Sequence, residues 1–296
     1  MAPLKRPQKA RSKSASTASY DMQLSNVVMA FKPKWFDDIP WHLTAKSPID
    51  PESLFAIGYM DMIEGHVCAG YVHLALAPYP IRKKTVRTDF VVSWGAQQNW
   101  HGISLHRFID QYAGRTVSTR IETQDKRRST IPFGQKHSSL FAGLAASALP
   151  NVYTAVYACM GYRNELMTMH GYGSLLSKAK KMGPQPVLEP LLMNIMREEG
   201  EHARYYKQLA TEVLSESVQL QKVVRRAMNY WWSIVGENYG GRTNADRVIR
   251  HLFQDANGIE LAKTIDRTVG LLPGLDGINP MHNRVKLAFR RAPRQL

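Results

Sequence analysis

Cysteine is scarce in this sequence, since Cys68 and Cys159 are the only two among 296 residues. Two thiols cannot supply the several cross-links of a small disulfide-rich secreted domain, and such low usage is typical of a reducing compartment. Both residues are interpreted as small buried hydrophobic side chains. With 44% hydrophobic residues, the chain can form a sizeable core in one large helical domain or two smaller ones.

Strongly apolar runs are also missing. The first 20 residues contain no hydrophobic segment of the kind found in secretory signals. The longest uncharged run, residues 140–162, could span a bilayer by length, but Pro150, Asn151 and several small residues make it weakly hydrophobic. We interpret it as a buried core segment and predict no membrane span. A cytoplasmic location is predicted, with organellar import through the basic N-terminal tail as an alternative.

Acidic residues are absent from both ends of the chain. Residues 1–20 and residues 281–296 each carry five basic residues and no acid, and together they account for ten of the fifteen net positive charges. A basic loop at residues 115–136 supplies most of the rest. Such segments can attract an acidic protein, anionic lipid or nucleic acid, or can simply improve solubility. Nucleic acid is the least favoured partner, because no basic patch interleaved with aromatic residues is present.

Alternating patterns typical of β-strands are missing as well, and helical periodicity dominates. Four long helices are predicted, followed by two more, at about residues 53–76, 88–113, 151–181, 187–214, 216–236 and 244–270. Two pairs of long helices favour a four-helix bundle with additional C-terminal helices. The predicted organisation is a disordered basic tail, an irregular proline-rich lead-in, a helical bundle domain and a basic irregular C-terminal segment, at residues 1–20, 21–50, 51–270 and 271–296.

One pair of residues on the fourth predicted helix has the spacing of a metal site. Glu199 and His202 are three apart and therefore share a helix face. Di-iron and di-manganese bundles use such a Glu-x-x-His helix together with a lone Glu from a partner helix. Glu165 is such a candidate, 34 residues before Glu199. The competing interpretation is a solvated charged face stabilised by Glu201 and Arg204.

The same residue spacing, 34 positions and then three, occurs earlier in the chain. Gln98 and His101 are also three apart, and Glu64 lies 34 residues before Gln98. Two helix pairs with identical ligand spacing predict a bundle that descends from a two-metal protein. Gln98 stands where a metal-binding helix would carry Glu. The remaining helical histidines, His66, His73, His106 and His170, are predicted to be packed or surface residues.

Three motifs resemble those of a known family. Residues 94–102, WGAQQNWHG, keep five positions of WTAEENRHG in the second core helix of the soluble acyl-carrier-protein desaturases. Residues 164–168, NELMT, keep the Glu and Thr of QERAT, and residues 198–202, EEGEH, resemble that family's DE-x-x-H pattern. The resemblance covers about residues 55–215 and is good at the motifs and poor between them. Glu64 is matched mainly by spacing.

The resemblance implies an all-α, ferritin-like four-helix bundle that holds two ferrous ions. It implies O₂-dependent desaturation or hydroxylation of an acyl chain or a similar carrier-bound substrate. The implied partners are an acyl carrier protein or a similar acidic carrier, a ferredoxin-type electron donor and a second copy in a homodimer. Thr168 would lie near the oxygen-binding face. The implied metal positions are Glu64, Gln98, His101, Glu165, Glu199 and His202.

Gln98 departs from the family pattern, and three outcomes remain open. Its carbonyl oxygen can approach a metal, but as a weaker donor than a carboxylate. The site could keep two metals with altered reactivity, one metal beside Glu165, Glu199 and His202, or none. In the last case the bundle would be a non-catalytic partner or scaffold subunit. Because five of six ligand positions survive, we predict a metal-bound oxygenase.

Overall fold

The computed structural model describes residues 31–67, 85–114, 148–230, 234–254 and 256–292. These ranges are helical and contain no strand, which confirms the predicted all-α helical bundle. Several predicted features lie outside the described residues: the N-terminal tail, the first part of the lead-in, the basic loop at 115–136, Cys68, His73, the end of the first predicted helix and the last four residues.

Four long helices form the bundle. They are α1 (Pro51–Met62), continued by a π-helical turn (Ile63–Val67), α2 (Thr85–Tyr112), α3 (Pro150–Met182) and α4 (Leu188–Ser215). Helix α1 packs along α2 and α3 packs along α4, while contacts of α1 with α3 and of α2 with α4 join the two pairs. Apart from the end of the first predicted helix, which lies outside the described residues, the bounds of these helices agree with the prediction to within three residues.

Local chemistry explains where these helices begin and end. The Asp50 carboxylate caps α1 by accepting the backbone N–H of Ser53 at 2.9 Å, and Pro51 occupies the first helical turn, where its missing N–H costs nothing. Helix α3 starts at Pro150 and ends before Gly183, whose φ of 145° few other residues adopt. The breaks at both ends of α3 were therefore predictable.

The uncharged run enters the core as part of α3. Ala155, Ala158 and Cys159 are fully buried there, and burial raises the pKa of the Cys159 thiol to about 12. Gly161 lets α4 approach, because a Cβ at this position would lie 2.6 Å from the ring of Tyr206. Among the described helices, none combines the length and hydropathy needed to cross a bilayer.

Shorter helices follow the bundle and cover one side of it. They are α5 (Val218–Tyr230), α6 (Arg242–Leu252), α7 (Ala256–Gly270) and α8 (Pro280–Arg290). Helix α5 packs on α3 and α4, α6 packs on α1 and α3, α7 packs on α3, and α8 packs on α6 and α7.

Two sequence predictions about this region are wrong. The single helix predicted over 244–270 is divided after Leu252, and Gly258 lies so close to Phe253 that a Cβ would sit 2.4 Å from its Cα. The segment predicted to be irregular from 271 to 296 contains α8. Its N-terminus is capped from α7, because the Asp266 carboxylate accepts the backbone N–H groups of Met281 and His282 at 3.0 and 2.8 Å. A cap supplied across a tertiary contact leaves no local sequence signal.

A buried ion-pair cluster ties α8 to α6. Arg284 is only 9% exposed and contacts Asp246 at 2.5 Å and Glu237 at 3.2 Å. Removing the guanidinium would leave two carboxylates buried beside each other without their shared counter-charge.

We therefore expect Arg284→Leu to lower the free energy of unfolding by about 3 kcal/mol, since it breaks a buried pair from one side. Arg242→Leu is the matched control, because Arg242 pairs with Glu237 at 2.7 Å from an exposed position and should cost at most about 1 kcal/mol. Urea unfolding followed by circular dichroism measures both. Equal losses in the two variants would contradict the importance of the buried cluster.

Candidate metal centre

One turn from each of the four long helices meets in the middle of the bundle. Glu64 comes from the π-helical turn after α1, and its position there is notable because π-bulges frequently occur at functional sites. Helix α2 supplies Gln98 and His101, and α3 supplies Glu165. Helix α4 supplies Glu199 and His202. All six side chains are at most 5% exposed, so the cluster is shielded from water.

Five of these residues form two groups that could each hold a metal ion. The first is Glu64, His101 and Glu199, and the second is Glu165, Glu199 and His202. In each group the potential ligand atoms all lie within 4.8 Å of one another. Two carboxylates and one imidazole per group are donors that suit a divalent transition metal such as iron, manganese or zinc.

Glu199 is common to both groups. Its Oε1 lies 3.0 Å from Nδ1 of His101, and its Oε2 lies 2.9 Å from Nδ1 of His202. One carboxylate therefore directs one oxygen toward each histidine, which is the arrangement needed to bridge two neighbouring ions. The two imidazole rings are 6.2 Å apart between centroids.

The outer nitrogens of both histidines are held by further side chains. Nε2 of His101 lies 2.8 Å from the Glu198 carboxylate, whose other oxygen accepts the indole N–H of Trp35 at 2.6 Å. Nε2 of His202 lies 2.8 Å from Oε1 of Gln97. Fixing Nε2 in this way directs each Nδ1 into the cluster, as is typical of metal-binding histidines.

The two outer carboxylates are also oriented by hydrogen bonds. Glu165 accepts the indole N–H of Trp94 at 2.9 Å, and Glu64 accepts the hydroxyl of Tyr172 at 2.9 Å. Each of these carboxylates thus has one oxygen hydrogen-bonded to the surrounding protein. Both carboxylates also lie next to Glu199.

Burial and neighbouring charges shift the pKa values of three groups in the cluster. Burial and the neighbouring charge of Glu199 raise the pKa of Glu165 well above its usual value. Burial would also raise the pKa of Glu199, but the two histidines outweigh it and hold that pKa low. For His101, burial opposes protonation, yet hydrogen bonds to Glu198 and Glu199 raise its pKa to about 10.

Gln98 contacts the shared carboxylate of Glu199 and also His202 of the second group. Its Nε2 lies 3.1 and 3.3 Å from the two oxygens of Glu199 and 3.5 Å from Nδ1 of His202. Its Oε1 is buried and has no hydrogen-bond partner. The amide that replaces the expected carboxylate therefore lies at the centre of the cluster.

Thr168 belongs to neither ligand group, but it lines a cavity together with Glu64, a member of the first group. This cavity of about 50 Å³ is bordered by Thr168 and Glu64. Its other walls are mainly apolar and come from α1, α3, α6 and the segment before α6, including Met60, Ile249 and Ile234. The cavity is therefore an apolar space that reaches the cluster at a single carboxylate.

Several contributors to the site were not predicted as such: Trp35, Trp94, Gln97, Tyr172 and Glu198. Trp94, Gln97 and Glu198 stand inside recognised motifs, so the motifs themselves were the available signal. Trp35 is 163 positions from Glu198 in the chain, and no sequence pattern connects them.

The other described histidine side chains lie outside both groups. His106 is partly buried between Asp61 and Asp110, at 3.1 and 3.3 Å. His170 is partly buried, and burial lowers its pKa. His66 falls within the π-helical turn, where its side chain is not described.

The chain matches no protein-family model, no curated protein and no solved structure.

The shared position of Glu199 predicts unequal effects of removing single carboxylates. Glu199→Ala removes a ligand from both groups and should abolish binding of both ions. Glu64→Ala leaves Glu165, Glu199 and His202 intact and should reduce the stoichiometry toward one ion per chain. Elemental analysis after anaerobic loading with Fe(II) measures the ratio. Equal losses in the two variants would contradict a shared carboxylate.

Metal affinity should rise with pH. The pKa of His101 is raised to about 10, so an entering cation must displace a proton from its imidazole, and the raised pKa of Glu165 acts in the same direction. Chelator competition at pH 6.5 and 8.5 should therefore show tighter binding at the higher pH, with protons released into a weak buffer. His106→Gln, outside both groups, should keep the same pH dependence. Affinity that does not change with pH would contradict the assignment.

Proposed function

We propose that this protein is a non-haem di-iron oxidoreductase that uses O₂ to desaturate or hydroxylate an acyl chain or a similar carrier-bound substrate. The observation that carries the proposal is the pair of buried Glu/Glu/His groups that share Glu199, with Glu64 at the wall of an apolar cavity. The motif resemblance to acyl-carrier-protein desaturases supports the same reaction class.

The charge of the cluster suits two divalent ions despite Gln98. Glu64, Glu165 and Glu199 are three carboxylates, and Glu198 adds a fourth through its hydrogen bond to His101. Four negative charges balance two divalent cations in a site that excludes water.

Each residue of the centre has a definite task in this proposal. Glu64, His101 and Glu199 would hold one iron, and Glu165, Glu199 and His202 would hold the other. Bound ferrous iron supplies the capacity to reduce O₂ and to oxidise an unactivated C–H bond. Glu198 and Gln97 keep the imidazoles in place, and the burial of the cluster excludes bulk water from it.

The lining of the cavity suits the methylene groups of an aliphatic substrate, and its volume of about 50 Å³ holds a short part of such a chain. Met60, Ile63 and Val248 line it with hydrocarbon, which favours methylene groups over polar ones. Gly171 leaves space between the side chains that line the cavity, because a Cβ there would lie 3.2 Å from Met60 and 3.5 Å from Leu252. Thr168 contributes a hydroxyl to the same space, close in sequence to the ligand Glu165.

The proposed partners follow from charge. A chain with a net charge of +15 would attract an acidic carrier protein and an acidic ferredoxin-type donor. A homodimer is proposed on the resemblance alone.

One observation favours a second candidate, a bundle with a degenerate metal site that acts as a non-catalytic partner or scaffold subunit. Nε2 of Gln98 already donates to Glu199, so the cluster is partly satisfied without metal. The two candidates differ in their response to metal: a scaffold would keep the same melting temperature with chelator and with Fe(II), whereas a metal-binding enzyme would be stabilised by Fe(II).

We expect Ala245→Phe to separate metal binding from turnover. Ala245 is 1% exposed and lines the cavity from α6, so a phenyl ring there would fill the proposed substrate space while all five ligand side chains are kept. With protein loaded anaerobically with Fe(II), then given a reductant, O₂ and acyl chains on an acidic carrier, product should fall at least about tenfold. Mass spectrometry of the released acyl chains measures the product.

Iron content is the control for this variant, and it should equal that of the unchanged protein. Overpacking is expected to lower stability by about 1–3 kcal/mol, which leaves the fold intact at low temperature. Full iron loading without product from any acyl substrate in the unchanged protein would contradict the proposed reaction.

A further inference from the structure

The Gln98 carboxamide presents its N–H groups to the centre of the cluster. Its donor end faces the Glu199 carboxylate, with Nε2 at 3.1 and 3.3 Å from the two oxygens. Its acceptor end, Oε1, is buried without a hydrogen-bond partner in a side chain that is only 2% exposed. A buried acceptor without a donor is costly in a folded protein and points to a state in which it is satisfied.

A metal ion beside Glu199 would reverse the preference of this amide. The N–H groups of Nε2 repel a cation, while Oε1 is the atom that can bind one. The amide plane of a glutamine can turn by half a rotation, because its terminal torsion is broad and roughly two-fold. Oxygen and nitrogen have nearly the same size, so the turn exchanges donor and acceptor within the same space.

We propose that Gln98 is a carboxamide switch whose Nε2 holds Glu199 when the centre is empty and whose Oε1 binds a divalent metal ion when the centre fills. The inference rests on the metal-binding part of the proposed function and does not depend on the substrate. The amide stabilises both states of the cluster, whereas a carboxylate at position 98 would stabilise only the filled one. The centre consequently binds its metal reversibly.

A fixed amide that merely fills space is the alternative, and Gln98→Leu distinguishes the two. Leucine removes both the donor and the acceptor while keeping most of the volume. If Oε1 is a ligand, the variant should bind Zn²⁺ about 10- to 100-fold more weakly than the unchanged protein. If Gln98 only obstructs the site, the variant should bind Zn²⁺ equally or more tightly, which would overturn the proposal.

Gln98→Glu provides the opposite change. It adds a carboxylate beside Glu199 and removes the donor, so the metal-free variant should melt at a lower temperature than the unchanged protein. The same variant should bind Zn²⁺ at least about tenfold more tightly and show a larger rise in melting temperature on loading. A metal-free Gln98→Glu variant as stable as the unchanged protein would overturn the stabilising role of Nε2.

Gln185→Leu is the matched control. Gln185 is also a buried glutamine with Oε1 unpartnered, but its Nε2 donates to backbone carbonyls of Pro48, Ala179 and Gly183. This variant should lose stability without any change in Zn²⁺ affinity. A parallel loss of Zn²⁺ affinity would show that the effect of Gln98→Leu is general and would overturn its assignment to Oε1.

A crystal structure of the Zn²⁺-loaded protein gives a second, direct test. Oε1 of Gln98 is expected within about 2.0–2.2 Å of an ion, and a bound ion without contact to Gln98 would overturn the switch. Failure of the unchanged protein and of Gln98→Glu to bind either Zn²⁺ or Fe(II) would overturn the proposed function as well. Binding by both, with Gln98→Leu equal to the unchanged protein, would overturn the switch alone.

Discussion

The carboxylate of Glu199, buried between two imidazoles, is the interaction on which the centre of this molecule depends. A fully buried charge is tolerated only where opposite charges and hydrogen bonds surround it. Here His101, His202 and Gln98 provide them from two different helices. Helix α2 must therefore lie against α4 to surround the Glu199 charge, in addition to packing its apolar side chains there.

Surrounding residues extend this constraint outward. Glu198 and Gln97 fix the far sides of the imidazoles, and Trp35 fixes Glu198 in turn. The short helical turn that carries Trp35 lies in the lead-in, so a segment predicted to be irregular contributes to the order of the centre. Phe36 and Trp100, with ring centroids 5.1 Å apart, pack this turn against α2.

The sequence predicted the four long helices and the residues that they bring together because both obey short, regular spacings. A three-residue interval on one helix fixes a shared face, and a repeated interval of 34 residues aligns two helix pairs. Contacts between distant positions follow no such rule. The bond from Trp35 to Glu198, the cap that Asp266 gives to α8 and the orientation of Gln98 all depend on tertiary packing. The helix break near Phe253 was missed for a similar reason, since Gly258 fits closely against its backbone.

The order of the elements along the chain has a consequence for the assembly of the centre. Every residue of the two ligand groups lies between Glu64 and His202. One wall of the apolar cavity, by contrast, comes from residues 234–253, and α8, which braces α6 through Arg284 and Asp246, follows later still. During synthesis the ligand helices therefore leave the ribosome before the wall and its brace. Residues 234–253 can therefore complete the cavity only after all the residues of both groups are present in the chain.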